Sequence, residues 1–431
     1  MADELSTEQK RCFDAAMSGQ NLFISGPGGV GKSFVIKRII EEFRARQHKF
    51  RIAASTGVAA LNVGGSTIHS LLGTRLAGTI KEAKEYHGTN AMQKAQNRLN
   101  FIQTLIVDEV SMLSGDYVTM MDWWLQQVRS NYEPFGGLQV ILCGDFLQLP
   151  PVEKGPAPEF RFAIDSPSWE KAKMQTVDLQ RSFRQEDQTF VNALNRVRFG
   201  EYTKDIRKVF RPCIGRELEE PTHLVSTNKE ADQINFDKLR AHPGEEFYAK
   251  PRFSFFTKYP KGIKEKMVRN SLTDSPLCLK VGVPVLLLKN HKEGMYVNGS
   301  RGVVKSVTTD KDNEIATILV TLDTGDDVIV ERDEWEQMDG DQRVQAVMAH
   351  FPVRLGWALT IHKSQGLTLD NVEIDLSRGF ACGQAYVALS RMRSLEGLSL
   401  TIPIDPSIVK AEPRLVEFYD CLLYTSPSPR D

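Results

Sequence analysis

The chain has 431 residues, 41% of them hydrophobic, with 54 Lys and Arg against 55 Asp and Glu for a net charge of -1. That length exceeds a single hydrophobic core and predicts two or three domains, and the balanced charge excludes a global field for nucleic acid, so any such site is a local patch. No apolar run reaches the length of a membrane span, the start MADELSTEQ is neither a secretory leader nor an Arg-rich transit peptide, and the six cysteines include no Cys-x-x-Cys pair, which argues against a zinc site and a disulfide framework. A cytosol or an equivalent compartment is expected, with no membrane partner.

The first predicted element is the helix LSTEQKRCFDAA, where Ser6 and Gln9 form a Ser-x-x-Gln capping box. A glutamine at that place also suits the edge of an adenine, and the residues alone leave the choice open. NLFIS, GPGGVGKS and FVIKRIIEEFRAR follow as strand, glycine loop and helix. The octet Gly26 to Ser33 is a P-loop in the context that the pattern requires. Gly26, Gly28, Gly29 and Gly31 let backbone N–H groups turn toward phosphate oxygens, and the helix amino terminus adds its dipole. Lys32 reaches the β and γ phosphates and Ser33 is placed to hold Mg2+, so ATP and Mg2+ are the expected cofactors.

Strands at Arg51 to Ser55, Thr104 to Glu109 and Leu138 to Cys143, with helices between them, imply a parallel sheet covered on both faces. Asp108 and Glu109 end the third of the four strands. Beside a P-loop, Asp108 suits the metal and Glu109 the proton of the attacking water. The fourth strand emerges from PFGG and breaks on Pro150 and Pro151, which fixes Asp145 and Gln148 in a loop at its carboxyl end, where open parallel sheets bind ligands. Gln148 is placed to sense the γ phosphate. Thr74 to Asn100 reads as a small insertion, helical and too charged for a core element.

A helix at Thr189 to Phe199, a strand at Thr222 to Thr227 and a helix from Lys229 repeat the α/β pattern more weakly. From about Lys250 to Ala346 short β runs with turns predict a small antiparallel barrel, after which ALTIHKSQG and NVEIDLS resume the second α/β domain. Within Lys250 to Arg269, seven basic residues against the single acid Glu265 interleave with Phe253, Phe255, Phe256 and Tyr259. The mixture suits single-stranded nucleic acid, yet a strand with aromatics on one face and lysines on the other is the favoured reading. The acidic run DTGDDVIVERDEWEQMDGD is expected to be a solvated face. The tail CLLYTSPSPRD, residues 421–431, matches one reading frame of a common sequencing adapter and is expected to be foreign to the protein.

Six blocks remain: STGVAALNVGGSTIHSLLG, PFGGLQVILCGDFLQLPP, LQRSFRQED, LVSTNKEADQIN, ALTIHKSQGLTLD and GQAYVALSRMRSLEGL. Together they resemble the petite integration frequency (PIF) helicases, in the B branch of helicase superfamily one with the RecD-like enzymes, and the resemblance runs from Leu5 to about Thr401. It implies an α/β fold with two RecA-like P-loop domains: residues 1–73 with 101–180, and 181–249 with 347–420. Residues 74–100 become a helical wedge in the first and residues 250–346 a β-barrel-like insertion in the second.

By the same resemblance Gln9 reads adenine, Gln148 senses the γ phosphate, Gln365 and Gly366 line the nucleotide, and Arg184 and Arg391 meet phosphate charge from the second domain. Thr56, Gly57, Thr67 and His69 in the first domain, and Thr360, His362, Lys363 and Ser364 in the second, hold single-stranded DNA. The implied activity is an ATP-dependent 5′-to-3′ DNA helicase of replication, repair or recombination, monomeric, acting on single-stranded and on duplex or fork DNA. Its place is the cytoplasm at the nucleoid if bacterial or phage-borne, with nucleus and mitochondrion still open. An RNA helicase and a nucleic-acid-stimulated ATPase that does not unwind are the alternatives, because phosphate and stacking contacts do not separate them.

Overall fold

The computed structural model describes residues 5–74, 77–151, 157–256, 261–291, 293, 295–338, 343–377 and 381–425. The chain forms two compact units, one of Met1–Phe183, Met338–Arg343 and Ala411–Asp431, the other of Arg184–Gln337 and Val344–Lys410. The sequence assigned residues 347–420 to the second domain; in the structure residues from Ala411 onward cluster with the first unit. The helix Pro413–Thr425 crosses from the expected natural sequence into the first residues of the suspected adapter tail. Residues 426–431 lie outside the described residues.

The first unit is built on a parallel sheet of β1 (Leu22–Ser25), β2 (Phe50–Ala54), β3 (Ser66–Thr67), β4 (Thr104–Asp108), β5 (Gln139–Cys143) and β6 (Gln175–Asp178), in the spatial order β3-β2-β4-β5-β1-β6. Every residue of β1 and β4 is buried, which is why both read as unbroken apolar runs rather than alternating ones. The short β3 and β6 escaped the sequence because neither carries a sustained apolar pattern.

Two helices flank the phosphate loop. In α1 (Thr7–Met17) the predicted capping box is present in both directions. In α2 (Lys32–Ala45) Val35, Ile36, Ile39, Ile40 and Phe43 recur at helical spacing and bury against the sheet.

The turn before β5 has a built geometry. Phe135, Gly136 and Gly137 take φ of 53°, 64° and 72° in succession. Phe135 is fully buried, with its N–H donated to Asp122 at 2.6 Å, and Arg129 Nε donates to the Gly136 carbonyl at 2.7 Å. A Cβ on Gly136 would stand 2.6 Å from the Leu125 carbonyl oxygen, so only glycine fits. The PFGG run therefore locks β5 onto the helix Gly115–Arg129.

The segment expected to be a polar insertion is helical at Ile80–Ala83 and Asn90–Leu99. It is less detached than its charge suggests, because Ala83, Met92, Ala95 and Leu99 are buried. Both of its helices pack against Gly115–Arg129.

The second unit holds a parallel sheet in the order Ala358–Thr360, Thr222–Val225, Val372–Ile374, Leu398–Leu400. Asn235, on the helix Asn228–Ala241, exchanges two 2.9 Å hydrogen bonds with the backbone of Ala358 and so closes the free edge of its strand. An antiparallel β module lies between these strands in sequence. Its main sheet has five strands, Asp327–Val330, Ile315–Leu322, Arg301–Thr309, Pro284–Leu287 and Val353–Leu355, around a core that includes Val285, Ile318, Val320 and Phe351. Its strands begin at Phe247 and end at Leu355, beyond the expected limits of 250 and 346.

The aromatic and basic stretch follows the favoured reading in its aromatics, which share a face, but departs from it at Lys264, which packs on the rings instead of on the opposite face. Along Arg252–Phe255 the rings of Phe253 and Phe255 share a face and stack 6.2 Å apart, and Lys264 Nζ sits 5.5 and 5.6 Å from their centroids. Phe256 is exposed, while Lys258 and Tyr259 fall outside the described residues.

Candidate active site

Three neighbouring strands, β1, β5 and β4, each end in a residue set named from the sequence. Their ladders place Ile24 beside Cys143 and Leu142 beside Val107, so the loops that follow leave the sheet at one level. After β1 comes the phosphate loop, with Gly26, Gly29 and Gly31 at φ of 139°, 89° and 84°. A Cβ on Gly31 would stand 2.6 Å from the Gln9 amide nitrogen. Lys32 Nζ folds over the loop and donates to the carbonyls of Gly26 at 2.7 Å and Pro27 at 3.0 Å. Ser33, next in α2, is exposed.

Gln9 serves the cap and the loop together. Its Oε1 accepts from Ser6 N at 3.0 Å and its Nε2 donates to the Val30 carbonyl at 3.4 Å. Beside it stands Phe183, a residue the sequence reading passed over. Its N–H donates to the Gly29 carbonyl at 2.9 Å and its half-exposed ring carries the Arg181 guanidinium at 5.2 Å.

At the end of β4 the backbone turns left-handed at Glu109, with φ 54° and ψ 46°. A non-glycine residue there costs about 1–2 kcal/mol. The turn is held by three bonds: Glu109 N–H to Asp108 Oδ1 at 2.9 Å, Ser55 Oγ to the Glu109 carbonyl at 2.7 Å and Ser55 N–H to the Asp108 carbonyl at 3.2 Å. It breaks the strand alternation that would send the two carboxylates to opposite faces. Burial raises the Asp108 pKa, against which the Glu109 N–H, the Cys143 thiol and the Lys32 charge all act. Burial thus disfavours the ionised carboxylate, and a cation brought beside it would offset that cost.

After β5, Asp145 organises the loop. Its carboxylate accepts from Leu147 N–H at 3.2 Å and from Gln148 Nε2 at 3.3 Å, and its carbonyl accepts from Gln148 N–H at 3.0 Å. Gln148 is therefore a held side chain at the sheet edge. Both residues are buried.

In the second unit Arg184 and Arg391 converge. Arg391 is buried, with Nε donating to the Val387 carbonyl at 2.9 Å and Nη2 to Ser390 Oγ at 2.8 Å. Burial, and next the neighbouring Arg391 charge, lower the Arg184 pKa to about 9. Two like charges brought together favour an anion between them.

The residues assigned to strand binding divide by exposure. Thr56 Oγ1 accepts from Ala59 N–H at 3.2 Å at the start of the helix Gly57–Asn62, and Thr67 precedes the helix Ile68–Leu72, so Thr56, Gly57 and Thr67 gather where β2 and β3 end side by side. His69 packs its ring 4.6 Å from Tyr117. In the second unit Thr360 and Ser364 are buried, and their hydroxyls shape the turn, Thr360 Oγ1 accepting from Lys363 N–H at 3.2 Å and Ser364 Oγ donating to the Ile361 carbonyl at 2.8 Å. That turn presents exposed His362 and half-buried Lys363. Burial and then Arg354 lower the Lys363 pKa. Gln365 and Gly366 follow, Gly366 at φ 84°.

The family model for PIF1-like helicases matches residues 4–209. The chain is 36% identical over 425 residues to the human ATP-dependent DNA helicase PIF1, covering 97% of this chain and 64% of that protein, so it spans under two thirds of that relative's length. It is 34% identical over 418 residues to the ATP-dependent DNA helicase Pif1 of Bdellovibrio bacteriovorus, covering 96% of this chain and 92% of that one. The crystal structure of Pif1 helicase from Bacteroides in complex with ADP-AlF3 and ssDNA superposes with a TM-score of 0.67 at 30% identity, over 98% of both chains. With its phosphate loop, its carboxylate pair and its glutamine on three adjacent strands, the chain belongs to the PIF1-like helicase family.

Proposed function

We propose that the chain is an ATP-dependent DNA helicase that moves 5′ to 3′ on single-stranded DNA and opens duplex or fork DNA. The observation that carries the reading is the convergence of β1, β5 and β4, which brings the phosphate loop, Gln148 and the Asp108–Glu109 pair to one sheet edge. In this reading Gly26, Gly28, Gly29, Gly31 and Lys32 cradle the phosphates of ATP, and Gln9 lies against the loop at the base end. Asp108 and the Ser33 hydroxyl fit Mg2+, a hard cation that takes carboxylate, hydroxyl and phosphate oxygens and screens phosphate charge when bound. Glu109 takes the proton of the attacking water, Gln148 orients the γ phosphate, and Arg184 and Arg391 meet the charge that spreads over it.

Thr56, Gly57, Thr67, His69, His362 and Lys363 grip phosphates and sugars, which binds DNA without reading its sequence. Gln365 and Gly366 connect that grip to the nucleotide. The helical segment 74–100 acts as the wedge, and a monomer suffices.

The reading is tested on duplexes with a 5′ or a 3′ single-stranded tail, in ATP and Mg2+, with RNA-tailed versions alongside. Opening of the 5′-tailed DNA alone is expected. Hydrolysis on single strands with neither duplex opened replaces the helicase by a translocase, and preference for the RNA tail replaces DNA by RNA.

A further inference from the structure

The helix Pro413–Thr425 brings one polar atom into the core of the first unit, and that atom lies between the two loops that handle phosphate. Tyr419 is buried to 1% exposure. Its hydroxyl stands 2.8 Å from Ser25 Oγ, at the last residue of β1 before the phosphate loop, and accepts from the N–H of Phe146 at 3.2 Å. The β1 and β5 ladder closes with Gly144 N–H donating to the Ile24 carbonyl at 3.1 Å, and the two chains then diverge. The phenol bridges them just past that point.

The ring is seated so that the hydroxyl has little freedom. Phe418 packs its ring 6.5 Å from Phe23, 6.1 Å from Phe146 and 6.5 Å from Trp169, and 5.4 Å from Tyr419 itself. Ion pairs Arg161–Glu412 at 2.9 Å and Arg414–Asp165 at 3.0 Å pin the start of the helix. Phe146 is two residues before Gln148, in the loop that Asp145 ties together.

We infer that Tyr419 is a positioning residue of the ATPase site, fixing the sensor loop of Gln148 against the strand that feeds the phosphate loop. The inference rests on the ATPase reading above. ATP is bound chiefly by the loop glycines and Lys32, whereas Gln148 matters as the γ phosphate departs, and a misplacement of about 1 Å there costs up to about a hundredfold in rate. Loss of the phenol hydroxyl therefore falls on kcat and spares KM.

The test compares wild type, Tyr419→Phe, Ser25→Ala, Gln148→Ala and the Tyr419→Phe/Gln148→Ala double variant, by DNA-stimulated ATP hydrolysis and by amide hydrogen exchange. Tyr419→Phe keeps the ring and is expected to lower kcat about tenfold with KM for ATP within about twofold. Ser25→Ala is expected to do the same, and the double variant to be no slower than Gln148→Ala. Amides of residues 144–148 exchange faster in Tyr419→Phe while those of β4 do not. An unchanged kcat, or a further tenfold loss on the Gln148→Ala background, overturns the inference and leaves Tyr419 as packing alone. Wild type that hydrolyses no ATP would instead sink the ATPase reading, and the exchange of residues 144–148 would still decide whether the phenol holds their loop.

Discussion

Arg184 Nη1 donates to the main-chain carbonyl of Ser390 at 2.8 Å, so one arginine is tied to the residue beside the other, Arg391. Gln185 Nε2 reinforces the tie with a 2.7 Å bond to the Met392 carbonyl. Both guanidinium groups are thus anchored to the same short segment, Val387 to Met392. Arg391→Ala is expected to lower kcat for ATP hydrolysis by about 10³ with a much smaller change in ATP affinity. Arg391→Lys should recover little, because an ammonium cannot reproduce the fork that bonds Val387 and Ser390. Steady-state kinetics with nucleotide titration decide it: an equal loss confined to affinity would make Arg391 a ground-state binder.

Lys32 donates to the backbone carbonyls of Gly26 and Pro27, which hold its amine over the loop. Lys32→Ala is expected to abolish hydrolysis while the thermal unfolding transition stays within a few degrees of wild type. A retained rate would remove the phosphate loop from the chemistry.

Gly136 tests the turn that sets β5. With φ of 64° and the Leu125 carbonyl 2.6 Å from where a Cβ would go, Gly136→Ala combines a left-handed backbone with a backbone clash. The expected cost is about 2–4 kcal/mol, read as a lower midpoint in urea at unchanged slope. Gly19, which has open space around it, serves as the mild control.

His350 gives the acid side of the stability profile. Its ring is fully buried and Nε2 donates to the Asp274 carbonyl at 3.0 Å. Burial lowers its pKa below 6.5; the Asp274 carbonyl bond and the charges of Asp274 and Glu314 oppose that, while Arg332 adds to it. A group whose folded pKa is depressed contributes stability that is present above its unfolded pKa and lost as pH falls through the folded value. Stability is therefore expected to decline from about pH 7 toward pH 5, and His350→Gln, which keeps a donor but no titration, to flatten that decline. Urea unfolding across this range checks it, and an identical slope in the variant refutes the assignment.

What was legible in the sequence follows from how local each requirement is. A phosphate loop needs its glycines and lysine within one octet, and strands buried on both faces announce themselves as apolar runs, so β1, β4, β5 and their motifs stood out. The PFGG run was visible as a pattern, but its reason, three successive left-handed residues clamped by Asp122 and Arg129, depends on a neighbouring helix. Thr360 and Ser364 were assigned to DNA by resemblance; their burial in the turn cannot be seen from the motif, since a hydroxyl suits a phosphate and a backbone carbonyl equally. Tyr419 gave no signal at all. Its two partners lie 394 and 273 residues away, and an aromatic residue in an amphipathic helix reads as packing.

The helix that carries Tyr419 also bears on how the protein is made. Both α1 and Pro413–Thr425 belong to the first unit, so the second unit is synthesised in between. A ribosome adding about 5–20 residues per second leaves the first unit without its last helix for roughly 10–50 s after Phe183 has been joined. During that interval the aromatic seat formed by Phe23, Phe146 and Trp169 lacks the Phe418 ring that covers it. A nascent chain broken off in that window would carry every phosphate-loop residue and lack the phenol that joins Ser25 to Phe146.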